Sequence, residues 1–268
     1  LALKSVLVTG ANGYVGNAIA RSFVRAGWIT YGLVRSSAAA EAIAADEIIP
    51  VIGIIDDRSS HDFIKSQMPP TLDAIVSTAE AIMDYVTHYT NIISPFCNLT
   101  QVILAAGAVK PTVVFTSGCK DYGTGPHIHS APGLAPHTEN SPIDPRKLVV
   151  TRAVHSAKIF DHADAFAPVL VRPTNVYGRT SSFYSGFFNV AEQAAAEGKP
   201  VVMPTQPDSI LHALHVDDCG DAYVAIASHP RREDVEGQTF NVSAHKYETV
   251  NEVGNALARE YGIKSGGV

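Results

Sequence analysis

The chain alternates short runs of β-branched residues with alanine-rich amphipathic segments, and this alternation restricts its fold more than any other feature. Such alternation is typical of βαβ units, in which parallel strands form a sheet and helices cover its faces. We therefore predict an α/β fold built on a doubly wound parallel sheet. The predicted strands are 5–9, 29–34, 48–54, 74–77, 112–116 and 168–171, and the predicted helices between them are 15–26, 38–45, 60–67, 91–108 and 146–161.

The alternation becomes less regular after residue 176, and we divide the chain there into two predicted domains. Residues 1–177 form the sheet domain, and residues 178–268 form a smaller second lobe. The predicted elements of the lobe are helices 187–197, 218–227 and 250–261 and short strands around Val201 and Phe240. Residues 121–145 are rich in proline, glycine and histidine and too irregular for an ordinary connection, so we expect them to cover a site.

Composition and charge exclude several classes of function. Among 268 residues, 20 are Lys or Arg and 26 are Asp or Glu, and no basic run is longer than Arg231-Arg232. A nucleic-acid-binding surface is therefore not expected. The longest apolar stretches, 102–109 and 166–171, fall short of the roughly 20 residues that a membrane-spanning helix needs. The chain begins at Leu1 without a recognisable leader, and its 3 cysteines lie far apart, which favours a reducing, cytoplasmic setting.

A glycine-rich turn follows the first predicted strand directly and opens the first predicted helix. Gly10 permits a tight turn, Gly13 lets the backbone approach a pyrophosphate, and Gly16 lets the helix pack closely on the strand. The amino terminus of the helix adds unpaired N–H groups that bind an anion. A turn that only connects strand and helix is the alternative, but the position after the first strand favours a dinucleotide site. The predicted residues of this turn are Gly10, Asn12, Gly13, Tyr14, Val15 and Gly16.

This glycine spacing resembles that of the short-chain dehydrogenase/reductase superfamily, and further segments resemble its extended branch, the epimerase, dehydratase and dihydroflavonol-reductase-like proteins. The segments are Val-Val-Phe-Thr-Ser at 113–117 with Asp-Tyr-Gly at 121–123, Val-Arg-Pro-Thr-Asn-Val-Tyr-Gly at 171–178, His-Val-Asp-Asp-Cys-Gly-Asp-Ala at 215–222 and Gln-Thr-Phe-Asn-Val at 238–242. The resemblance runs from Val6 to about Ala258. It implies a Rossmann-type sheet, a nicotinamide cofactor, a small-molecule substrate and a homodimer formed by two helices on the outer face of the sheet. Members usually continue beyond the last of these segments, which implies that the lobe ending at Val268 is incomplete.

The residue that selects the dinucleotide lies about 20 residues beyond the last glycine of the turn. No carboxylate stands there, and Arg35 and Ser36 offer a cation and a hydroxyl suited to a 2′-phosphate, so NADP(H) is favoured over NAD(H). An arginine that is merely solvated at the strand end is the alternative. Asp56 and Asp57 follow the third strand, where the resemblance implies an aspartate that meets the adenine, although they also fit a surface turn. The other cofactor-binding residues that the resemblance implies are Thr78, Ala79, Thr116, Ser117, Arg152, Pro173, Asn175 and Val176.

The catalytic pattern of this family is altered in the chain. The resemblance implies a tyrosine near the start of helix 146–161 and a lysine four residues later, but Leu148 and Arg152 occupy these positions. The family's serine or threonine after the fifth strand is Gly118 here, and Ser117 lies one residue before it. Leucine cannot exchange a proton, and the guanidinium of Arg152 stays charged. We predict Ser117, Tyr122 and Arg152 as catalytic residues, although Tyr122 also fits a packing role. Further candidate proton donors are Lys120, His127, His129 and His137.

Three other patterns are weaker. His127 and His129 have no acidic or cysteine ligand at supporting spacing, so no metal site is predicted. His215, Asp217 and Asp218 lack a serine nucleophile, and an aspartate that caps the following helix explains them better. An aromatic cluster either faces the substrate or packs the core; its members are Phe183, Tyr184, Phe187 and Phe188.

Three functions stay open at this point. The first is NADP(H)-dependent oxidation or reduction of an alcohol or carbonyl in a small organic substrate, with an atypical proton donor. The second is a catalytically silent NADP(H)-binding protein that senses redox state or assembles with partners. The third is epimerase or dehydratase chemistry on nucleotide sugars, which in this family also depends on the missing tyrosine. The motif for cofactor binding is intact and the catalytic motif is altered, and this combination favours the first function.

Overall fold

A parallel sheet dominates the part of the chain that the structure describes. The computed structural model describes residues 3–123, 125, 127–179, 182–203 and 205–263. The strands are β1 (Ser5–Thr9), β2 (Ile29–Val34), β3 (Ile49–Ile52), β4 (Ala74–Ser77), β5 (Thr112–Thr116), β6 (Ala167–Pro173), β7 (Asn175–Tyr177), β8 (Ile210–Leu211), β9 (Ala213–His215), β10 (Thr239–Val242) and β11 (Glu248–Thr249). Seven of these described strands form the central sheet in the order β3-β2-β1-β4-β5-β6-β10, and each neighbouring pair is parallel. The predicted doubly wound α/β fold is confirmed.

Helices cover both faces of this sheet, which is why its strands read as nearly continuous apolar runs. The helices are α1 (Tyr14–Arg25), α2 (Ser37–Ala44), α3 (His61–Ser66), α4 (Tyr85–Ala105), α5 (Val150–Ser156), α6 (Ser185–Glu197), α7 (Val216–Ala227) and α8 (Val250–Glu260). On one face, Phe23 of α1 and Tyr223 of α7 lie in the same apolar cluster as Val8 of β1. On the other face, Phe96 of α4 lies in a second cluster with Leu7 of β1.

Parallel pairing brings the carboxyl ends of the strands to one edge of the sheet. The predicted site residues follow those ends: Gly10 after β1, Arg35 after β2, Thr78 after β4 and Ser117 after β5. Crevices at the carboxyl ends of strands are where open α/β sheets bind ligands. The topology therefore gathers residues that are far apart in sequence along one edge.

Three local elements differ from the predicted ones. Helix α4 begins at Tyr85, six residues before the predicted start at 91. The predicted helix 146–161 is a shorter α5 between two 3-10 turns, Lys147–Val149 and Ala157–His162, and its first turn is rich in β-branched residues, which lower helix propensity. The predicted strand around Val201 is wrong: Val201 is buried but lies in no strand, and the preceding Pro200 has no N–H to donate to a ladder.

The residues after 177 contribute to both parts of the fold. Strand β10 pairs with β6 in the central sheet. Helix α7 lies against α1 so closely that a Cβ on Gly220 would approach the Ala18 carbonyl oxygen to 2.8 Å. The rest of the lobe is a smaller cluster in which Ala191 of α6 meets Leu257 of α8. The division after residue 177 therefore does not follow the sheet, because periodicity identifies a strand but not the sheet that the strand joins.

Candidate functional site

The glycine turn between β1 and α1 favours glycine at position 10 and leaves no room for a side chain at position 16. Gly10 has a φ of +67°, in the left-handed region that favours glycine, and its carbonyl accepts a hydrogen bond from the Gly13 N–H at 2.8 Å. A Cβ on Gly16 would overlap the Gly10 carbonyl and lie 2.6 Å from the Thr78 hydroxyl. That hydroxyl donates to the Thr9 carbonyl at 2.5 Å and so ties the end of β4 to the end of β1.

The amino terminus of α1 is open toward this turn. Gly13 is its N-cap residue and contributes no side-chain hydrogen bond, and the first turn holds no acidic side chain. Helix N–H groups that lack side-chain caps, together with the helix dipole, attract an anion. Tyr14 donates from Oη to the carbonyl of Gly178 at 2.8 Å, and burial raises its pKa to about 12. The turn can therefore receive a pyrophosphate, while Tyr14 fixes its position against the segment after β7.

Arg35 and Ser36 follow β2 at the same edge. The Arg35 side chain is exposed, and no ion pair found within the described ranges includes it. Ser36 is the N-cap of α2, where its Oγ accepts a hydrogen bond from the Ala39 N–H at 3.3 Å. The hydroxyl hydrogen of Ser36 is still free to donate, so both side chains can face a phosphate.

The two aspartates after β3 have different local roles. Asp57 caps a 3-10 turn and accepts hydrogen bonds from the Ser59 hydroxyl at 2.8 Å and the Ser59 N–H at 2.9 Å, which hold the pKa of Asp57 below its usual value. The Asp56 carboxylate instead contacts His88, a buried residue of α4. The sequence did not single out His88, because no motif marks it.

A buried ionic network occupies the end of β5, where the catalytic groups were predicted. Asp121 is fully buried and accepts hydrogen bonds from Ser117 Oγ at 2.7 Å, Arg172 Nε at 3.0 Å and Arg152 Nη2 at 3.1 Å. Ser156 in turn donates to Ser117 Oγ at 3.1 Å. The hydroxyl proton of Ser117 is therefore held by a carboxylate, and Arg152 is held by the same carboxylate. The sequence did not single out Asp121 and Arg172 as partners, because the elements that bring them together are distant in sequence.

Tyr122 is also engaged by protein groups. Its Oη donates to Asn241 Oδ1 at 2.8 Å and accepts from Arg172 Nη1 at 2.9 Å, and its ring stacks on His137 with centroids 5.1 Å apart. The side chain is 7 % exposed. His137 belongs to the irregular segment 121–145, and its ring thus packs on Tyr122, six residues beyond the end of β5. Thr116, the last residue of β5, shares a hydrogen bond of 2.8 Å with Tyr223 of α7.

The positions of the family's tyrosine and serine carry no proton donor. Leu148 lies in the 3-10 turn before α5 and is 66 % exposed. At Gly118, an added Cβ would lie 3.2 Å from Arg152 Nη2, so the guanidinium occupies the space beside this residue. Arg152 also approaches Glu80 at 3.5 Å. A guanidinium offers hydrogen-bond donors only, so the geometry allows Arg152 to position hydroxyl groups.

The segment after β6 completes the edge of the site. Pro173 ends β6, and Asn175 and Val176 lie in β7, which pairs with β9. The aromatic cluster has two environments: Tyr184 is buried, whereas Phe183 is exposed and lies under Lys120, whose Nζ is 5.2 Å from its ring. The cluster thus both packs the lobe and faces the loop after β5.

His215 and Asp217 are structural. His215 is the N-cap of α7 and accepts from the Asp217 N–H at 3.2 Å, while Asp217 forms an ion pair of 2.8 Å with Arg179. The prediction that an aspartate caps this helix is therefore wrong, because the cap of α7 is His215. In the described ranges, no three His, Cys, Asp or Glu side chains converge as metal ligands. No helix among these residues combines the length and apolar character that a membrane crossing requires.

Comparison with known structures agrees with this architecture. The chain is similar to dTDP-glucose 4,6-dehydratase from Bacillus anthracis in complex with NAD (TM-score 0.72, 17 % identity, 98 % of this chain and 82 % of that one). It is also similar to UDP-glucuronic acid 4-epimerase from Bacillus cereus in complex with NAD (0.71, 16 %, 98 % and 85 %). A third similar structure is UDP-glucose 4-epimerase from Bifidobacterium longum in complex with NAD+ and UDP (0.68, 21 %, 97 % and 84 %).

At these identities the structural similarity establishes the fold alone. No curated protein sequence matches the chain. The model of the NAD dependent epimerase/dehydratase family matches residues 6–243, which span the glycine turn, the end of β5, the segment after β6 and β10. The chain belongs to the NAD dependent epimerase/dehydratase family.

Proposed function

We propose that this protein binds a nicotinamide dinucleotide along the carboxyl edge of its sheet, and NADP(H) in preference to NAD(H). The observation that carries the proposal is the glycine turn, in which Gly16 leaves no space for a side chain and the amino terminus of α1 has no side-chain cap. The pyrophosphate would lie against Gly10, Gly13 and the first turn of α1. The three similar structures with bound NAD support a dinucleotide of this class.

Arg35 and Ser36 support the preference for NADP(H). A guanidinium forms two parallel hydrogen bonds to a phosphate, and an exposed arginine beside the ribose site offers such a fork to a 2′-phosphate. Thr78, Ala79, Pro173, Asn175 and Val176 would line the rest of the cofactor, as the family resemblance implies. When bound, the dinucleotide would supply a hydride acceptor or donor.

The reaction proposed first is oxidation or reduction of an alcohol or carbonyl carbon in a small organic substrate. Arg152 would hold hydroxyl groups of the nicotinamide ribose or the substrate, as the lysine of the family does. The proton would come from Ser117 or Tyr122, which lie after β5. Either hydroxyl must first leave its present acceptor, Asp121 for Ser117 and Asn241 for Tyr122.

A second candidate is a dinucleotide-binding protein without turnover. The observation that favours it is that Ser117, Tyr122 and Arg152 all have protein partners, while Leu148 stands in the place of the tyrosine. Such a protein would bind NADP(H) tightly and respond by assembling with partners. Epimerase or dehydratase chemistry on a nucleotide sugar is a third candidate, supported by the substrates named for the similar structures.

Dinucleotide binding is tested by Gly16→Ala. We expect wild-type protein to bind NADPH in a titration calorimeter and Gly16→Ala to bind at least about tenfold more weakly, because the Cβ would displace the Gly10 carbonyl. The matched control is Gly186→Ala in α6, where no atom lies within 4 Å of the added Cβ. Unchanged affinity in Gly16→Ala, or no binding by the wild type, contradicts the proposal.

Turnover separates the three candidates. Purified protein with NADPH and a panel of carbonyl compounds should oxidise the cofactor, which absorbance at 340 nm follows. Tight binding without oxidation, accompanied by a change in assembly, would identify the silent protein. Conversion of a UDP- or dTDP-sugar with bound NAD+ would identify the third candidate.

We also propose that the chain forms a homodimer in the cytoplasm. Exposed apolar side chains occur on α4 and on the contacting segment before and within α5, among them Val86, Leu148 and Val154. These are two helices on one outer face of the sheet, as the family resemblance implies. Cys97, Cys119 and Cys219 are free thiols, which supports a reducing compartment.

A further inference from the structure

His88 lies in the first turns of α4 with both ring nitrogens in contact with oxygen acceptors. Its Nδ1 lies 3.0 Å from Oδ1 and 3.1 Å from Oδ2 of Asp56. Its Nε2 lies 2.9 Å from the carbonyl oxygen of Ala79. The side chain of His88 is 2 % exposed, whereas that of Asp56 is 40 % exposed, so the ring is shielded from water and the carboxylate is partly hydrated. The ring of Tyr85, on the same helix, lies 5.6 Å away.

These partners determine the charge of the ring. A backbone carbonyl and an ionised carboxylate can only accept hydrogen bonds, and a neutral imidazole carries a proton on one nitrogen alone. A neutral His88 would leave one nitrogen lone pair facing an acceptor oxygen in a buried place. Both contacts are satisfied together only when both nitrogens carry protons, as they do in an imidazolium.

The bridge joins two loops that flank the glycine turn. Asp56 follows β3 and Ala79 follows β4, and these strands are separated in the sheet by β2 and β1. On the Ala79 side, a Cβ on Gly10 would come within 3.2 Å of the Ala79 nitrogen, so this backbone packs directly on the turn. On the other side, Asn91 of α4 donates to the Asp56 carbonyl at 2.9 Å and holds the same loop.

The bridge also changes the charge at the end of β3, because an imidazolium would offset the negative charge of the Asp56 carboxylate. Both effects, position and charge, act on the part of the edge between the ends of β3 and β4.

We propose that His88 is a positioning residue of the dinucleotide site, held as an imidazolium between Asp56 and Ala79. This inference rests on the proposed function, in that its effect is on dinucleotide affinity. His88 itself does not touch the cofactor; it fixes the Ala79 backbone against the glycine turn and neutralises Asp56.

The charge of His88 is tested first, without any cofactor. Protein with ¹⁵N-labelled histidine should give one ring at pH 7 with both nitrogens protonated, and this signal should be missing from His88→Gln. In Asp56→Asn the ring should lose one proton, because an amide does not stabilise the imidazolium. A neutral ring in the wild type overturns the inference whether or not a dinucleotide binds.

Two further variants each keep one arm of the bridge and lose the charge. His88→Gln places an amide near Nε2 and keeps a donor toward Ala79, and His88→Asn places one near Nδ1 and keeps a donor toward Asp56. Both lose the charge, so we expect each to bind NADPH about tenfold more weakly than wild type, and His88→Phe more weakly still. The control is His229→Gln, whose Nδ1 lies 2.8 Å from the Arg231 carbonyl oxygen and 4.0 Å from the Asp234 carboxylate in a surface turn.

The outcomes distinguish this inference from the proposed function. If the wild type binds NADPH and the folded His88 variants bind it equally well, the positioning role is wrong and the dinucleotide site stands. If the wild type binds no dinucleotide, the proposed function fails, and the positioning role fails with it.

Circular dichroism checks that each variant is folded. Asp56→Asn perturbs the core least, because the altered side chain is 40 % exposed.

Discussion

Two glycines show how a single residue decides what its position can hold. Gly16 leaves no space for a side chain because the Gly10 carbonyl and the Thr78 hydroxyl fill the volume that a Cβ would take. Gly118 has the opposite effect, because its missing side chain makes room for the Arg152 guanidinium. The first glycine keeps the turn closely packed, and the second leaves no hydroxyl at the position where the family resemblance implies one.

At the same scale, we propose that Arg35 sets the preference for NADP(H). In Arg35→Ala we expect NADP+ affinity to fall by about 10- to 100-fold, since a charge-assisted hydrogen bond to the 2′-phosphate is lost. NAD+ affinity should change less than about twofold because NAD+ has no such phosphate. Titration calorimetry with both dinucleotides measures the two values. Arg231→Ala, a change of an exposed arginine in the loop before β10, is the control.

Equal losses for NADP+ and NAD+ would show that Arg35 acts on the fold and does not read the phosphate. A wild type that prefers NAD+ would leave the dinucleotide site in place and contradict the preference alone.

At the scale of elements, Asp121 joins the end of β5, helix α5 and strand β6. Arg152 comes from α5 and Arg172 from β6, and both side chains are about nine-tenths buried or more. Two buried cations are paired with one carboxylate, and Tyr122 extends the network to Asn241 of β10. Arg152, which stands in the place of the family's lysine, is therefore held in an ionic junction between elements.

Asp121→Asn should weaken this junction strongly. The change removes the only full negative charge among the described hydrogen-bond acceptors of Arg172, and breaking a buried ion pair typically costs about 3 kcal/mol or more. We expect the free energy of unfolding, measured in urea, to fall by about that amount. The matched control is Asp221→Asn, which breaks an exposed ion pair with Arg25 and should cost less than about 1 kcal/mol. Equal effects of the two substitutions would mean that Asp121 is solvated.

For the whole molecule, the outer face of α4 and α5 carries several exposed apolar side chains. Met83 is 87 % exposed just before α4, and Leu148 and Val154 are exposed beside it in the segment around α5. Large apolar side chains that cluster on a surface usually mark a contact with another molecule. A second copy of the chain is the partner that the family resemblance implies.

The proposed homodimer can be tested by light scattering during size-exclusion chromatography. Wild-type protein should have twice the mass of the chain, and the double variant Leu148→Glu, Val154→Glu should elute as a monomer, because charges on this face disfavour its burial. Val202→Glu, an exposed apolar position in the lobe, is the control and should stay dimeric. A monomeric wild type would show that this face has another role.

The sequence by itself determined the α/β fold, the strands of the central sheet up to β6, the glycine turn and the family. These follow from local rules: apolar periodicity identifies strands and helices, and the steric demand of a tight turn beside a helix selects Gly10, Gly13 and Gly16. The replacement of the family's tyrosine by Leu148 was also readable, because motif spacing places it.

Only the tertiary structure decided which polar groups meet. In the structure, β10 and α7 lie with the sheet. Ser117 and Arg152 bind Asp121, and Tyr122 binds Asn241. His88 lies between Asp56 and Ala79. These contacts join residues that are 4 to 119 positions apart. Spacing along the chain does not encode them, because parallel strands bring their ends together whatever the length of the connections between them.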